Sequence, residues 1–403
     1  MTSRSQKKGI SLVFYSFFIL YFCGRISKTS KLILFSSENP KNNKLFSLVL
    51  AFTMTAILGL NTQLVMASEG DGKFNAGEMI MHHISDAHEI HIIGDFAIYL
   101  PVIIKTETGW DVFSSSHFYH NEQTLEGESG NEHYYEYQDY ILFHEHIYYK
   151  EDGLTLDENG DATNQAVALD MSITKNVAGI FLTMLIMCLI FFSVAKAYKK
   201  KGVSAPTGFQ AFMEPLILFV RDEIAIPSIG KKEADRFVPF LLSIFFFIWI
   251  SNLLGLIPFL GGMNITGTLS VTLVLATIVF IITTINGRKP YWVHILWPPN
   301  VPIPIKIILV PIEIAGLFIK PLVLMVRLTA NITAGHIIIL AFVALIFIFG
   351  EQSAAAGYGV GIGSTLFMIF MNFIELLVAF LQAYVFTLLA ALYFGSAVEE
   401  AHH

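Results

Sequence analysis

The stretch KPLVLMVRLTANITAGH, Lys320 to His336, decides how this chain folds. It lies inside an apolar zone from Ile303 to Phe349. That zone is more than twice the ~20 residues a helix needs to cross the hydrocarbon core of a bilayer. Between Lys320 and Phe394 only four charged residues occur: Lys320, Arg327, Glu351 and Glu375. A charge at mid-bilayer costs at least about 2.5–3.5 kcal/mol on insertion scales, so it is seldom lipid-facing and is usually functional. Arg327 stays protonated in any protein environment and cannot relay a proton. It can repel cations or attract a carboxylate. His336 and Glu375 can exchange protons.

Helical spacing sorts these groups. At about 100° per residue, Glu313, Lys320 and Arg327 share one stripe, and Asn331 joins it four residues on. His336 falls on the opposite side, about 13 Å further along the axis. Glu375 and Gln382, seven apart, share a face of the final helix. The pattern predicts two polar sites, one around Arg327 and one pairing His336 with Glu375. Read alone, Asn331 and Gln382 also fit simple interhelix hydrogen bonding. Arg327 also fits snorkelling to an interface, and His336 with Glu375 a satisfied buried pair.

Outward from this zone, further spans are expected at Val177–Tyr198, Phe237–Phe259, Leu269–Ile285 and Ile362–Phe394. Basic residues mark cytoplasmic ends. Lys196, Lys199, Lys200 and Lys201 close the first span, Lys231 and Lys232 lie in the following linker, and Arg288 and Lys289 follow the third span. The loop expected at Glu351–Gly363 has neither Lys nor Arg and belongs outside. Residues Glu399–His403 then lie inside. The stretch Phe209–Ile224 is amphipathic and suits a surface or a docking face.

Composition agrees. Of 403 residues 54% are hydrophobic and 14% charged, with a formal net charge of −7 and a mean hydropathy of +0.61. Soluble domains carry about 25% charged residues. Two cysteines, Cys23 and Cys188, exclude a disulfide scaffold. The negative balance argues against nucleic acid, and no glycine-rich phosphate loop is present. Charge is concentrated between Ser68 and Asp170, which holds 21 of the 32 acids, three bases and nine of the 13 histidines. The change near residue 170 is a change of solvent, from water to lipid.

Three domains follow. Residues 1–67 read as a targeting region: Lys41 and Lys44 precede the apolar run Leu45–Leu60, and Val65-Met66-Ala67 makes a signal-peptide site with cleavage after Ala67. An upstream run, Ile10–Cys23, suits either a start recorded too early or an anchor. Residues 68–170 form an acidic, His-rich exported domain, mostly β, with strands expected at His88–Gly94, Phe96–Ile104 and Tyr134–Tyr149. His82, His83, His88 and His91 are weak metal candidates, with His144 and His146 beside them, but their spacing fits no standard zinc pattern. Residues 171–403 are the membrane domain. The fold class is therefore a mainly α membrane protein preceded by a small, mostly β extramembrane domain.

The segment Lys320–His336 resembles the signature of subunit a of the F-type ATP synthase. The Arg327-Leu328 pair, Asn331 four after the arginine, and Gly335-His336 carry the match. Asn252-Leu-Leu-Gly-Leu-Ile-Pro258, Asn264-Ile-Thr-Gly-Thr-Leu-Ser270 and Leu381-Gln-Ala-Tyr-Val-Phe386 resemble other family stretches in order, and Glu313 stands where members carry an acid. The likeness covers about Met171–Glu400. Thr329 departs from the Phe common after Arg-Leu, and the acidic domain is longer than the usual N-terminal tail.

The resemblance implies five or six membrane helices, including a long, strongly tilted helical hairpin. It implies a non-catalytic stator subunit of the Fo proton channel without a cofactor. Partners would be the c-subunit ring, the b-subunit stator stalk, the remaining ATP synthase subunits, protons and lipid. His336, Glu375, Asn331 and Gln382 would load protons from outside, Glu313 would serve the inner release path, and Arg327 would separate the two. The setting would be a bacterial inner membrane, with residues 68–170 periplasmic and the C-terminus cytoplasmic. A secondary ion or proton transporter is the alternative, although such folds usually show inverted repeats and none is visible here.

Overall fold

The computed structural model describes residues 76–399, except 94–95, 107–108, 120–121, 128–129, 158–161, 165, 168, 202–204, 258–261 and 300. The targeting region expected at 1–67, with its cleavage after Ala67, lies outside the described residues.

The acidic domain opens with helix α1 (Ala76–Ile84). Strand β1 (Glu89–Ile93) pairs with β2 (Phe96–Tyr99), and β3 (Pro101–Lys105) with β4 (Trp110–Ser114). After a short helix, α2 (Ser116–Tyr119), the strands β5 (Glu122–Gly127), β6 (Gly130–Tyr137), β7 (Tyr140–Phe143) and β8 (His146–Tyr149) form an antiparallel meander. The expected run Phe96–Ile104 is thus two strands broken at Leu100, and Tyr134–Tyr149 is three. Strand β7 is buried on both faces, which is why its sequence YILF does not alternate. Tyr140 and Leu142 join Val102, Ile104 and Phe118, while Ile141 and Phe143 join Tyr148. The β7–β8 turn holds His144 at φ 46° and Glu145 at φ 65°. Two positive φ angles in a two-residue turn match the right-handed twist of the strands it joins.

The connection to the membrane domain is laced to the sheet. Met171 N–H donates to the Ile103 carbonyl at 2.9 Å and Ile173 N–H to that of Pro101 at 3.0 Å. Helix α3 (Lys175–Lys201) follows. Its first-turn amide Asn176 N donates to Asp86 Oδ1 at 2.8 Å, and Thr174 Oγ1 donates to Asp86 Oδ2 at 2.8 Å. In return, Lys175 Nζ donates to the His83 carbonyl in the last turn of α1 at 3.2 Å. A carboxylate thus sits at one helix N-terminus and a cation at another helix C-terminus, where the orphan backbone groups and the helix dipoles favour them.

Five helices among the described residues are long and apolar enough to cross a membrane. After α3 come α4 (Phe209–Leu218), a π-helical turn (Phe219–Ala225) and α5 (Ile226–Ile229). This amphipathic stretch docks on the chain itself, with Met213, Val220 and Ile224 inside the membrane-domain core. The central helix is α6 (Ala234–Gly255), packed against α3 and the π-helical turn. Helix α7 (Leu269–Asn286) and the short α8 (Lys289–Leu296) lead to α9 (Ile303–Gln352) and α10 (Ala354–Val398). At 1.5 Å per residue α9 is about 75 Å long and α10 about 68 Å. The hydrocarbon core is about 30 Å thick, so the hairpin must lie strongly tilted.

Contacts between α7 and α9 fix their antiparallel register. Thr333 Oγ1 donates to the Gly267 carbonyl at 3.2 Å, Thr272 and Thr329 hydroxyls meet at 2.6 Å, and Phe280 packs on Phe318 at 5.7 Å. Thr329, the departure from the family pattern, has this interhelix bond as its role. At the far end Arg288 N–H donates to the Ala397 carbonyl at 2.9 Å. Residues 262–268 and the acidic domain therefore lie at one end, and Arg288, Lys289 and the end of α10 at the other.

The loop expected at Glu351–Gly363 is a correction: α9 runs to Gln352 and α10 starts at Ala354. Ser353 Oγ accepts from Ala356 N at 3.2 Å as an N-cap, and alanines 354–356 favour helix. Gly350 and Gly357 let the two helices close. A Cβ on Gly357 would stand 2.8 Å from Gly350 Cα.

Candidate ion-translocation site

Helix α9 separates its polar groups by face, as spacing predicted. Arg327 and Asn331 are exposed, with Ala330 and Ala334 beside them on that face. Among the described residues Arg327 makes no hydrogen bond or ion pair. Lys320 is exposed as well, its Nζ 5.9 Å from the Tyr393 ring centroid. Glu313 is half-buried, 14 residues before Arg327, toward the Arg288 end.

His336 is half-buried on the other side, toward α6. Its Nδ1 lies 3.0 Å from the Ile332 carbonyl and its Nε2 3.4 Å from the Gly255 carbonyl. Both partners are acceptors. The neutral ring can donate to one of them and the protonated ring to both, so each proton gained or lost makes or breaks one bond.

Glu375 on α10 reaches this side of α9. A Cβ at Gly335 would stand 2.3 Å from its Oε1, so the glycine leaves room for the carboxylate in this position. Glu375 is 9% exposed, and among the described residues neither carboxylate oxygen has a hydrogen-bond partner. Native proteins rarely leave a buried polar group unpaired, and such groups cluster where chemistry occurs. Gln382 is buried two turns further along. Sequence reading missed Ser364 and Asn372, which lie on the same buried face of α10. Their spacing to Glu375 and Gln382 follows the helical period and was readable.

The structure also shows what Asn252 and the following loop do. Asn252 Nδ2 donates to the Ala379 carbonyl at 3.3 Å, and Thr266 Oγ1 donates to Asn252 Oδ1. One amide thus ties α6, α10 and the loop together beside Glu375. Gly255 is needed for approach, since a Cβ there would stand 2.8 Å from the Met263 carbonyl oxygen and 3.6 Å from His336 Nε2.

The histidine candidates for metal are not gathered. Among the described residues no three His, Cys, Asp or Glu side chains are placed to hold an ion. His88 is buried, with Nδ1 3.6 Å from Glu145 and Nε2 4.0 Å from Asp170. His91, three residues on, is exposed and pairs with Glu89 at 2.6 Å, and hydrogen bonding to that carboxylate raises its pKa above the usual histidine value. His83 sits at Gly262. The side chain of His82 lies outside the described residues. His144 and His146 are exposed.

A polytopic membrane protein built round a long helical hairpin, with ionisable groups on both faces of one helix, is the class these elements define. Residues 177–395 match the family described as ATP synthase A chain, and the chain belongs to that family. Residues 79–171 match a second family, described as a domain of unknown function (DUF8433). The chain is 40% identical over 247 residues to ATP synthase subunit a of Myxococcus xanthus, covering 58% of this chain and 76% of that one. It is 41% identical over 241 residues to the Chloroherpeton thalassium subunit a, covering 58% and 69%. It is 40% identical over 267 residues to that of Anaeromyxobacter sp., covering 62% of this chain and 61%, under two thirds, of the relative.

Proposed function

We propose that this chain is the proton-conducting stator subunit of the Fo sector of a bacterial F-type ATP synthase. It works against a ring of c subunits and is held by the b-subunit stalk. The observation that carries this is the division of α9: a permanent cation open to a partner on one face, and a titratable pair enclosed by the chain on the other.

A proton entering from the side of residues 262–268 would pass His336 and Glu375, with Gln382 and Asn331 along the way, to a ring carboxylate. Release would follow on the opposite side of Arg327, near Glu313. Arg327 stabilises the ionised ring carboxylate as it passes, because an adjacent opposite charge favours the charged form. It also bars direct passage between the two paths. The driving energy is about 2.3 kcal/mol per charge per 100 mV. Lys199–Lys201 and Arg288–Lys289 at the end remote from the acidic domain favour that end as cytoplasmic and the acidic domain as periplasmic.

The decisive experiment is Arg327→Ala in the assembled complex. Proton-driven ATP synthesis in membrane vesicles is expected to vanish while passive proton leak appears. Normal synthesis with that variant would falsify the reading.

A further inference from the structure

The acidic domain is not tethered loosely. It is seated on one place in the membrane domain, the layer that covers His336. Helix α1 packs against α9. Ile90 and Leu100 share a core with Met263 and Ile265, which are 3% and 1% exposed. Asn176 Nδ2 donates to Thr268 Oγ1 at 2.8 Å. The reciprocal capping by Asp86 and Lys175 fixes α1 relative to α3.

Within this contact His83 has a particular position. Its imidazole rests on Gly262, where a Cβ would come 2.8 Å from Nε2 and where a φ of +61° favours glycine. The next residue, Met263, turns its carbonyl oxygen to the point over Gly255 that His336 Nε2 also borders. Two imidazoles thus lie on either side of one layer of backbone. The segment from Ser68 to Asp170 carries 21 acids against three bases. A surface of one sign concentrates counter-ions at its mouth, here protons.

We infer that the acidic domain roofs the outer end of the proton path and that His83 is the first titratable side chain inside it, handing hydronium-derived protons toward His336. This rests on the channel reading above, so the test carries Glu375→Gln alongside. The preparation is the whole complex in vesicles with the catalytic sector stripped off, and the readout is passive proton flux.

In His83→Cys, a membrane-impermeant cationic methanethiosulfonate applied from the side of the acidic domain is expected to label the thiol and abolish flux. The unmodified chain, treated in parallel, reports any effect at Cys188. In His83→Ala, flux is expected to fall and to recover when imidazole is added on that side, a rescue that a purely structural role would not give. Complete labelling with unchanged flux overturns the inference, as does a thiol that stays unlabelled in a conducting complex. So does a His83→Ala loss that imidazole does not restore. If instead Glu375→Gln conducts normally, the channel reading itself fails and the roof falls with it.

Discussion

The two faces of α9 are built on opposite principles. The Arg327 face leaves its charge without a partner among the described residues and flanks it with alanines, so a neighbouring chain can come close. The His336 face is finished within the chain: carbonyls of Ile332 and Gly255 meet the ring, Gly335 admits Glu375, and a separate domain lies over the loop above. In the proposed channel the open face would meet the rotor ring and the closed face would hold a fixed path. A charge left open costs too much in lipid to be an accident, whereas a closed polar pair alone could be mere packing.

Arg327→Ala strikes the open face and has the largest expected effect, since no other fixed cation stands beside Asn331. Gly335→Ala is the matching blow to the closed face. Its Cβ would stand 2.3 Å from Glu375 Oε1, so the carboxylate would have to leave its place. Proton flux through the assembled complex is expected to fall severely without the leak that Arg327→Ala produces. Adding Glu375→Asp, one methylene shorter, should restore part of it. A leak from Gly335→Ala would mean that the two faces are not separate paths.

How much of this was readable depends on the reach of each interaction. The five spans and the sorting of Arg327, Asn331 and His336 follow from helical periodicity, which is local, and they stand in the structure as the spacing predicted. The α9–α10 turn was misread because four glycines, Gly357, Gly359, Gly361 and Gly363, look like a loop by propensity. The close approach of Gly357 to Gly350 is a tertiary contact that spacing does not encode. The same holds for Gly335: its neighbour Glu375 is 40 positions away, and nothing nearby announces the meeting. Strand β7 hid for a related reason, being buried on both faces and so lacking alternation. The docking of the acidic domain through Asp86, Lys175 and Ile90 was not legible at all, because the partners lie about 90 residues apart for Asp86 and Lys175 and about 175 for Ile90, and each is an ordinary residue for its own segment.

That docking gives the closed face its third layer, and Asp86→Ala weakens it with a smaller effect. The carboxylate serves Asn176 N–H and the Thr174 hydroxyl at once. Leaving a buried donor without its acceptor costs about 1–3 kcal/mol. Protease cleavage of the acidic domain in intact vesicles is expected to quicken, while Asp86→Asn, which keeps an acceptor oxygen at the same reach, should stay closer to the unmodified rate. Equal cleavage of Asp86→Ala and the unmodified protein would show that the seat does not depend on this cap.

The smallest effect lies at the edge of the same layer, in the β1–β2 hairpin that sends Ile90 toward Met263. His91 and Glu89 pair at 2.6 Å there, and the carboxylate raises the His91 pKa. A group whose folded pKa is raised adds stability that is full below its unfolded value, about 6.5. The contribution fades as pH rises through the folded value. His91 is 56% exposed, so solvent screens the pair and keeps the effect slight. Hydrogen exchange of the β1–β2 amides, corrected for intrinsic rates, should therefore show modestly more protection near pH 6 than near pH 8. His91→Asn should remove that slope while leaving Arg327 and its open face untouched. A slope that persists in His91→Asn would assign the pH response to another group in the layer.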